Sequence, residues 1–111
     1  MSNKINEIIG SQILDFVEIY DYKQIITNKE TINLYNPIKC YSQSNAAIKF
    51  DDLINDFLNT TITKVFIKSN EFLELEISDK LYIQISLKDS DYSGIEAVSI
   101  YFKCGEILVF H

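Results

Sequence analysis

Three acids fall within nine positions near the C-terminal end, in the stretch DSDYSGIEA, residues 89–97. Carboxylates at alternate positions ahead of a glycine suit a calcium loop, because a hard cation collects oxygen ligands from a tight turn. Asp89, Asp91 and Ser93 fill the first, third and fifth positions of such a loop, and Gly94 fills the sixth. The twelfth position needs a bidentate glutamate and holds Ile100. The flanks alternate like strands, where that loop sits between helices. A non-standard oxygen site from Asp89, Asp91 and Glu96 is the remaining metal reading. The structural reading is favoured: Asp and Ser tie down turns through their own backbone, and glycine permits the reversal. No metal or cofactor is expected.

Other chemistry has less to stand on. The one histidine is His111, the last residue. Gly10, Gly94 and Gly105 stand apart, so no glycine-rich phosphate loop can form. Cys40 and Cys104 belong to no CxxC or CxxH pattern and read as reduced thiols. Cys40 has no internal histidine to activate it as a nucleophile. Glu74 and Glu76 share a strand face and could form a carboxylate pair of the glycosidase kind. Alternating acids on a strand are ordinarily solvated positions, and that reading is preferred. The chain is therefore read as non-enzymatic.

Charge narrows the partners. The sequence of 111 residues has net charge -6, with ten lysines and no arginine. Residues 1–50 hold five acids and five lysines, and residues 51–111 hold eleven acids and five lysines, so the net charge lies in the second part. Such a surface repels nucleic acid and anionic membrane and attracts basic partners. No stretch approaches the ~20 apolar residues of a membrane helix. The opening MSNKINEIIG lacks the pattern of a secretory signal, and a cytoplasmic location is expected.

The elements that must position these residues follow from periodicity. FDDLINDFLN (residues 50–59) reads as a short helix with Leu53, Ile54, Phe57 and Leu58 on one face. TITKVFIK, FLELEIS and LYIQISL then read as strands, the last two alternating strictly. INEIIG (residues 5–10) echoes INDFLN (residues 54–59), and strands over 12–20, YKQIIT and TINLYN follow it. Asn36-Pro37 ends the last of these, and 38–50 reads as a connector. EAVSIYF and EILVF close the chain as a hairpin over 95–110, turning at Lys103-Cys104-Gly105. The expectation is a single α+β domain, residues 1–111. It comprises two helix-plus-three-strand repeats, about 4–37 and 51–87, and a C-terminal strand pair. Its antiparallel sheet is strongly twisted or partly closed around two helices.

The run LKDSDYSG, then EA, a strand, a short turn and a final apolar strand resembles small bacterial immunity proteins of polymorphic or contact-dependent toxin systems. Leu34-Tyr35-Asn36-Pro37 fits the same resemblance, while Ile95 stands where that pattern has proline. The resemblance implies a cytoplasmic binder that inactivates a cognate toxin and has no catalytic residues. Many such toxins are nucleases, whose clefts must be positive to hold phosphate. The expected contact surface is Glu74, Glu76, Tyr82, Asp89, Asp91, Tyr92 and Glu96, gathered on one side by the alternation. Two other readings stay open: a structural or homo-oligomerising domain, with a homodimer as its form, and a weak metal-binding protein.

Overall fold

The computed structural model describes residues 4–92 and 94–111. Ser93, the fifth position of the calcium-loop comparison, and the first three residues lie outside the described residues. The strands are β1 (Ile13–Ile19), β2 (Tyr22–Thr27), β3 (Glu30–Leu34), β4 (Ile38–Ser42), β5 (Ile62–Lys68), β6 (Phe72–Ile77), β7 (Leu81–Ser86), β8 (Val98–Phe102) and β9 (Ile107–Phe110). They form two open sheets, ordered β1-β2-β3-β8-β9 and β4-β7-β6-β5. All pairs are antiparallel. Among the described residues the one α-helix, α1 (Leu53–Asp56), is a single turn, and 3-10 turns cover Lys4–Ile8, Phe50–Asp52 and Asp89–Asp91.

This corrects the expected architecture. The protein is mostly β, and neither two helices nor two helix-plus-three-strand repeats organise it. The helix over residues 50–59 stops early because its apolar stripe finds little to cover. Leu53 is fully buried, but Ile54 and Leu58 remain 41% and 37% exposed. Asn59 then adopts a positive φ of 66°, which a helix cannot continue through. The segment over 5–10 is likewise short, and Gly10 ends it with φ of 90°. Neither of the two sheets closes on itself. Each run of three consecutive strands gains its fourth neighbour from elsewhere in the chain: β4 joins the second sheet beside β7, and β8 joins the first beside β3.

The register explains the core. Ile25 faces Ile32, which faces Ile100, and Leu75 faces Ile83 across the second sheet. All five are fully buried, as are Leu73, Ile77, Leu81 and Ile85. They belong to one hydrophobic cluster with Ile8, Leu53 and Phe50 from the short helical turns. Each such side chain stabilises the fold by about 1.5–3 kcal/mol relative to exposure. The sheets are also tied through the main chain where β1 and β5 begin. Gly10 N–H donates to Ile62 O (2.7 Å), Asn59 N–H to Ile13 O (2.8 Å), Ile13 N–H to Thr60 O (2.7 Å) and Ile62 N–H to Ser11 O (3.0 Å).

The two outer faces differ in chemistry. Across the second sheet the rows Lys64-Glu76-Tyr82-Tyr41 and Phe66-Glu74-Gln84-Lys39 mix both signs of charge. Across the first sheet the rows are Asp15-Ile26-Thr31-Tyr101-Ile107 and Val17-Gln24-Asn33-Ser99-Val109. Asp15 is the one Asp, Glu, Lys or Arg among those ten positions.

Candidate binding surface

The seven residues expected to share one surface fall into two groups. Glu74, Glu76 and Tyr82 lie on the outer face of the second sheet, whereas Asp89, Asp91, Tyr92 and Glu96 lie in the connection from β7 to β8. The first group is largely committed to its neighbours. Tyr41 donates its hydroxyl hydrogen to Glu74, and Gln84 Nε2 donates to the same Oε1 at 2.9 Å. Glu76 is buried and its Oε2 accepts from Thr63 Oγ1 at 2.8 Å. The Tyr41 and Tyr82 rings stack at 5.2 Å. Burial, and then the bond to Glu74, push the Tyr41 hydroxyl up to about 12, and burial with the bond to Glu76 raises Tyr82. Two carboxylates held this way brace the sheet, and Lys39 and Lys64 beside them dilute the negative face that alternation alone suggests.

The second group stands where loops converge. The β7–β8 connection folds as a 3-10 turn because Asp91 accepts from Ser86 Oγ at 2.5 Å and its N–H donates to Lys88 O at 2.9 Å. Asp89 is exposed at the start of that turn. Tyr92 packs partly against the core, and burial, then the Asp89 charge, raise its hydroxyl. The β3–β4 corner is anchored to the same place, with Asn36 Nδ2 donating to Ser86 O at 2.7 Å. Proline at 37 stops β3 here, which frees the chain to cross to the other sheet.

Between these loops three shallow recesses join end to end. Asp21, Tyr22, Tyr35, Gly94, Ile95 and Glu96 line one of about 420 Å³. A second, about 270 Å³, shares Asp21, Tyr22 and Tyr35 with it and adds Asn36, Pro37, Ile38 and Asp91. A third, about 220 Å³, shares Pro37, Ile38 and Asp91 with the second and reaches Phe72, Gln84 and Ser86. The Tyr22 and Tyr35 rings meet at 5.1 Å, and the Tyr35 hydroxyl shares a hydrogen bond with Ser99 Oγ at 2.9 Å. Tyr20 beside them is 99% exposed and Ile95 is 80% exposed.

Asp91 and Glu96 of the expected set thus line the trough, and Asp21, Tyr22, Tyr35 and Pro37 join them without having been singled out for it. Tyr22 and Tyr35 stand at the same end of the β2–β3 hairpin, a neighbour relation that strand register can supply. The contribution of Asp21 depends on how the β1–β2 turn meets the β7–β8 loop, for which the sequence carries no local signal.

Reactive chemistry is sparse. Burial pushes the Cys40 thiol up to about 11, against the opposing pull of Lys23, so it is protonated and inert at neutral pH. Among the described residues no group of three or more His, Cys, Asp or Glu could hold a metal ion. Asp91 is turned towards Ser86, and the segment compared with a calcium loop lies between the strands β7 and β8. No helix among the described residues is long and apolar enough to cross a membrane. No family model matches the sequence, and neither a curated protein nor a solved structure matches it.

Proposed function

We propose that this chain is a non-enzymatic cytoplasmic binding protein that neutralises a basic partner, a cognate toxin of the kind its sequence resemblance implies. The partner is held at the loop end. The observation that carries this reading is the joined trough, with its Tyr22–Tyr35 pair and the acids Asp21, Asp91 and Glu96. Stiff, amphipathic tyrosine rings give large contact area at low entropic cost.

Lys23, Lys39 and Lys88 also line these recesses, so the local field is only mildly negative. Steering therefore comes from the net charge of -6, and retention comes from the rings. A standard interface needs about 800 Å² per partner, so the trough must be joined by its rim, including Asp89 and Tyr20.

The test is binding to a basic toxin domain, should one be encoded next to the gene for this chain, followed by surface plasmon resonance. Tyr35→Ala is expected to raise Kd about 30-fold, chiefly through faster release. Reversing Asp21, Asp89 and Glu96 together to lysine slows association, most at low salt. If both variants bind as the parent does, the loop end is not the contact surface.

A further inference from the structure

The four edges of the two sheets are not equally protected. The β4 edge is covered by the segment after it, with Ile48 N–H donating to Cys40 O at 2.9 Å and Ser42 N–H to Ala46 O at 3.0 Å. β5 carries Lys64, Phe66 and Lys68, and its first residue is bonded to the Gly10–Ser11 segment. β1 carries Asp15 and Glu18. β9 reads Ile-Leu-Val-Phe, with no charge and no proline. Natural sheets blunt open edges with lysine, proline, bulges or a covering loop, because unpaired N–H and C=O groups template further pairing.

The hydrogen-bond phase shows which groups are free. Phe110 and Glu106 turn their carbonyls toward β8, accepting from Ala97 and Phe102 at 2.8 and 2.9 Å. The alternate residues, Ile107 and Val109, therefore direct their N–H and C=O to the open side. Among the described residues no backbone bond reaches that side. Ile107 is 57% exposed and Tyr101 beside it 48% exposed.

We infer that β9 pairs with β9 of a second copy of this chain, antiparallel about a two-fold axis, extending the five-stranded sheet across the pair. The occupant follows from charge and symmetry. A basic or acidic partner finds no charged residue on β9 to pair with, and the adjoining outer-face rows offer only Asp15. Two copies with net charge -6 repel when they meet through acidic surfaces, whereas β9 itself carries no charged side chain, and Glu106 just before it is paired with Lys4 at 2.7 Å. A two-fold axis sets identical strands antiparallel and uses one patch on both sides.

The outer face next to β9 has a low floor, with Ser99 fully buried and Asn33 at 6% exposure, flanked by Tyr101 and Val109. Four residues of pairing with flanking side chains fall short of the ~800 Å² per partner of a standard interface, so the dimer is weak, with a micromolar Kd. The interface centres on Ile107 and Val109 and is independent of the proposed toxin contact.

The experiment is sedimentation velocity from micromolar to millimolar protein, with reductant present because Cys104 is exposed and free. A reversible monomer–dimer equilibrium is expected. Val109→Pro removes an N–H from the open side, and Ile107→Lys places a charge on the edge strand; each raises the dimer Kd at least tenfold. Phe66→Lys, on the other sheet, leaves it unchanged. Circular dichroism confirms folding, and should Val109→Pro not fold, Ile107→Lys decides alone. A monomer at all concentrations overturns the inference, as does a dimer that Phe66→Lys dissolves and Ile107→Lys spares.

Discussion

Alkaline pH should loosen this protein through Tyr41, and the effect can be traced to one side chain. The Tyr41 hydroxyl is pushed from its ordinary value of 10 up to about 12, by burial first and by its bond to Glu74 second. In the unfolded chain it ionises near 10. Between those values the unfolded state has lost the proton and the folded state still holds it. Stability is therefore fully present below about pH 10 and falls as pH rises toward about 12. Two pH units of separation correspond to about 2.7 kcal/mol, and partial solvent access of the ring reduces this to about 1–2 kcal/mol. Tyr41→Phe removes the titrating group. It lowers stability at neutral pH by about 1 kcal/mol, the ordinary worth of one hydrogen bond. Gln84 Nε2 still satisfies Glu74 Oε1 at 2.9 Å in that variant. Urea unfolding from about pH 8 to about pH 11.5 then gives two curves that converge at the alkaline end. Tyr82 and Tyr92 are raised in the same direction and keep some slope in the variant. Parallel curves, with Tyr41→Phe losing as much stability as the parent, would refute the account of the network.

Two further substitutions probe the frame. Glu30 is 1% exposed; its Oε1 accepts from Thr27 Oγ1 at 2.8 Å, and its Oε2 has no partner among the described residues. Glu30→Leu is expected to raise the unfolding free energy by about 1–2 kcal/mol, read as a higher urea midpoint, because Thr27 Oγ1 keeps its bond to the residue-30 carbonyl and the unpaired buried oxygen is gone. Gly10→Ala meets no atom within 4 Å, yet φ of 90° disfavours any side chain, so it should lower stability by about 1 kcal/mol in thermal melts.

The strands were legible where alternation was strict and the inward set fully apolar. Leu73, Leu75 and Ile77 face Ile85, Ile83 and Leu81 in register, and a period of two announces both strands. β4 escaped because it is a five-residue edge strand with only Cys40 fully inside, flanked by half-buried Ile38 and Tyr41. Helical spacing in FDDLINDFLN is real, but spacing records a capacity for burial, and the core there buries Leu53 and Phe50 and takes Phe57 only in part. Sheet membership was not legible at all. Alternation tells which way a side chain points and not which strand lies next to it, and β3 with β8, or β4 with β7, are distant pairings set by packing. The same gap explains the site. Glu74 and Asp91 were placed together by parity along the chain, while the Tyr22–Tyr35 trough depends on three loops meeting.

The crossing of β4 and β8 between the two sheets bears on how the molecule comes into being. Asn33 on β3 must wait for Ser99, 66 residues later, before its sheet has a centre. A ribosome-bound chain therefore holds the first hairpins with a bare flank until β8 has emerged. Nicking the segment between β4 and α1 would release no autonomous piece, since each part retains a strand that the other needs.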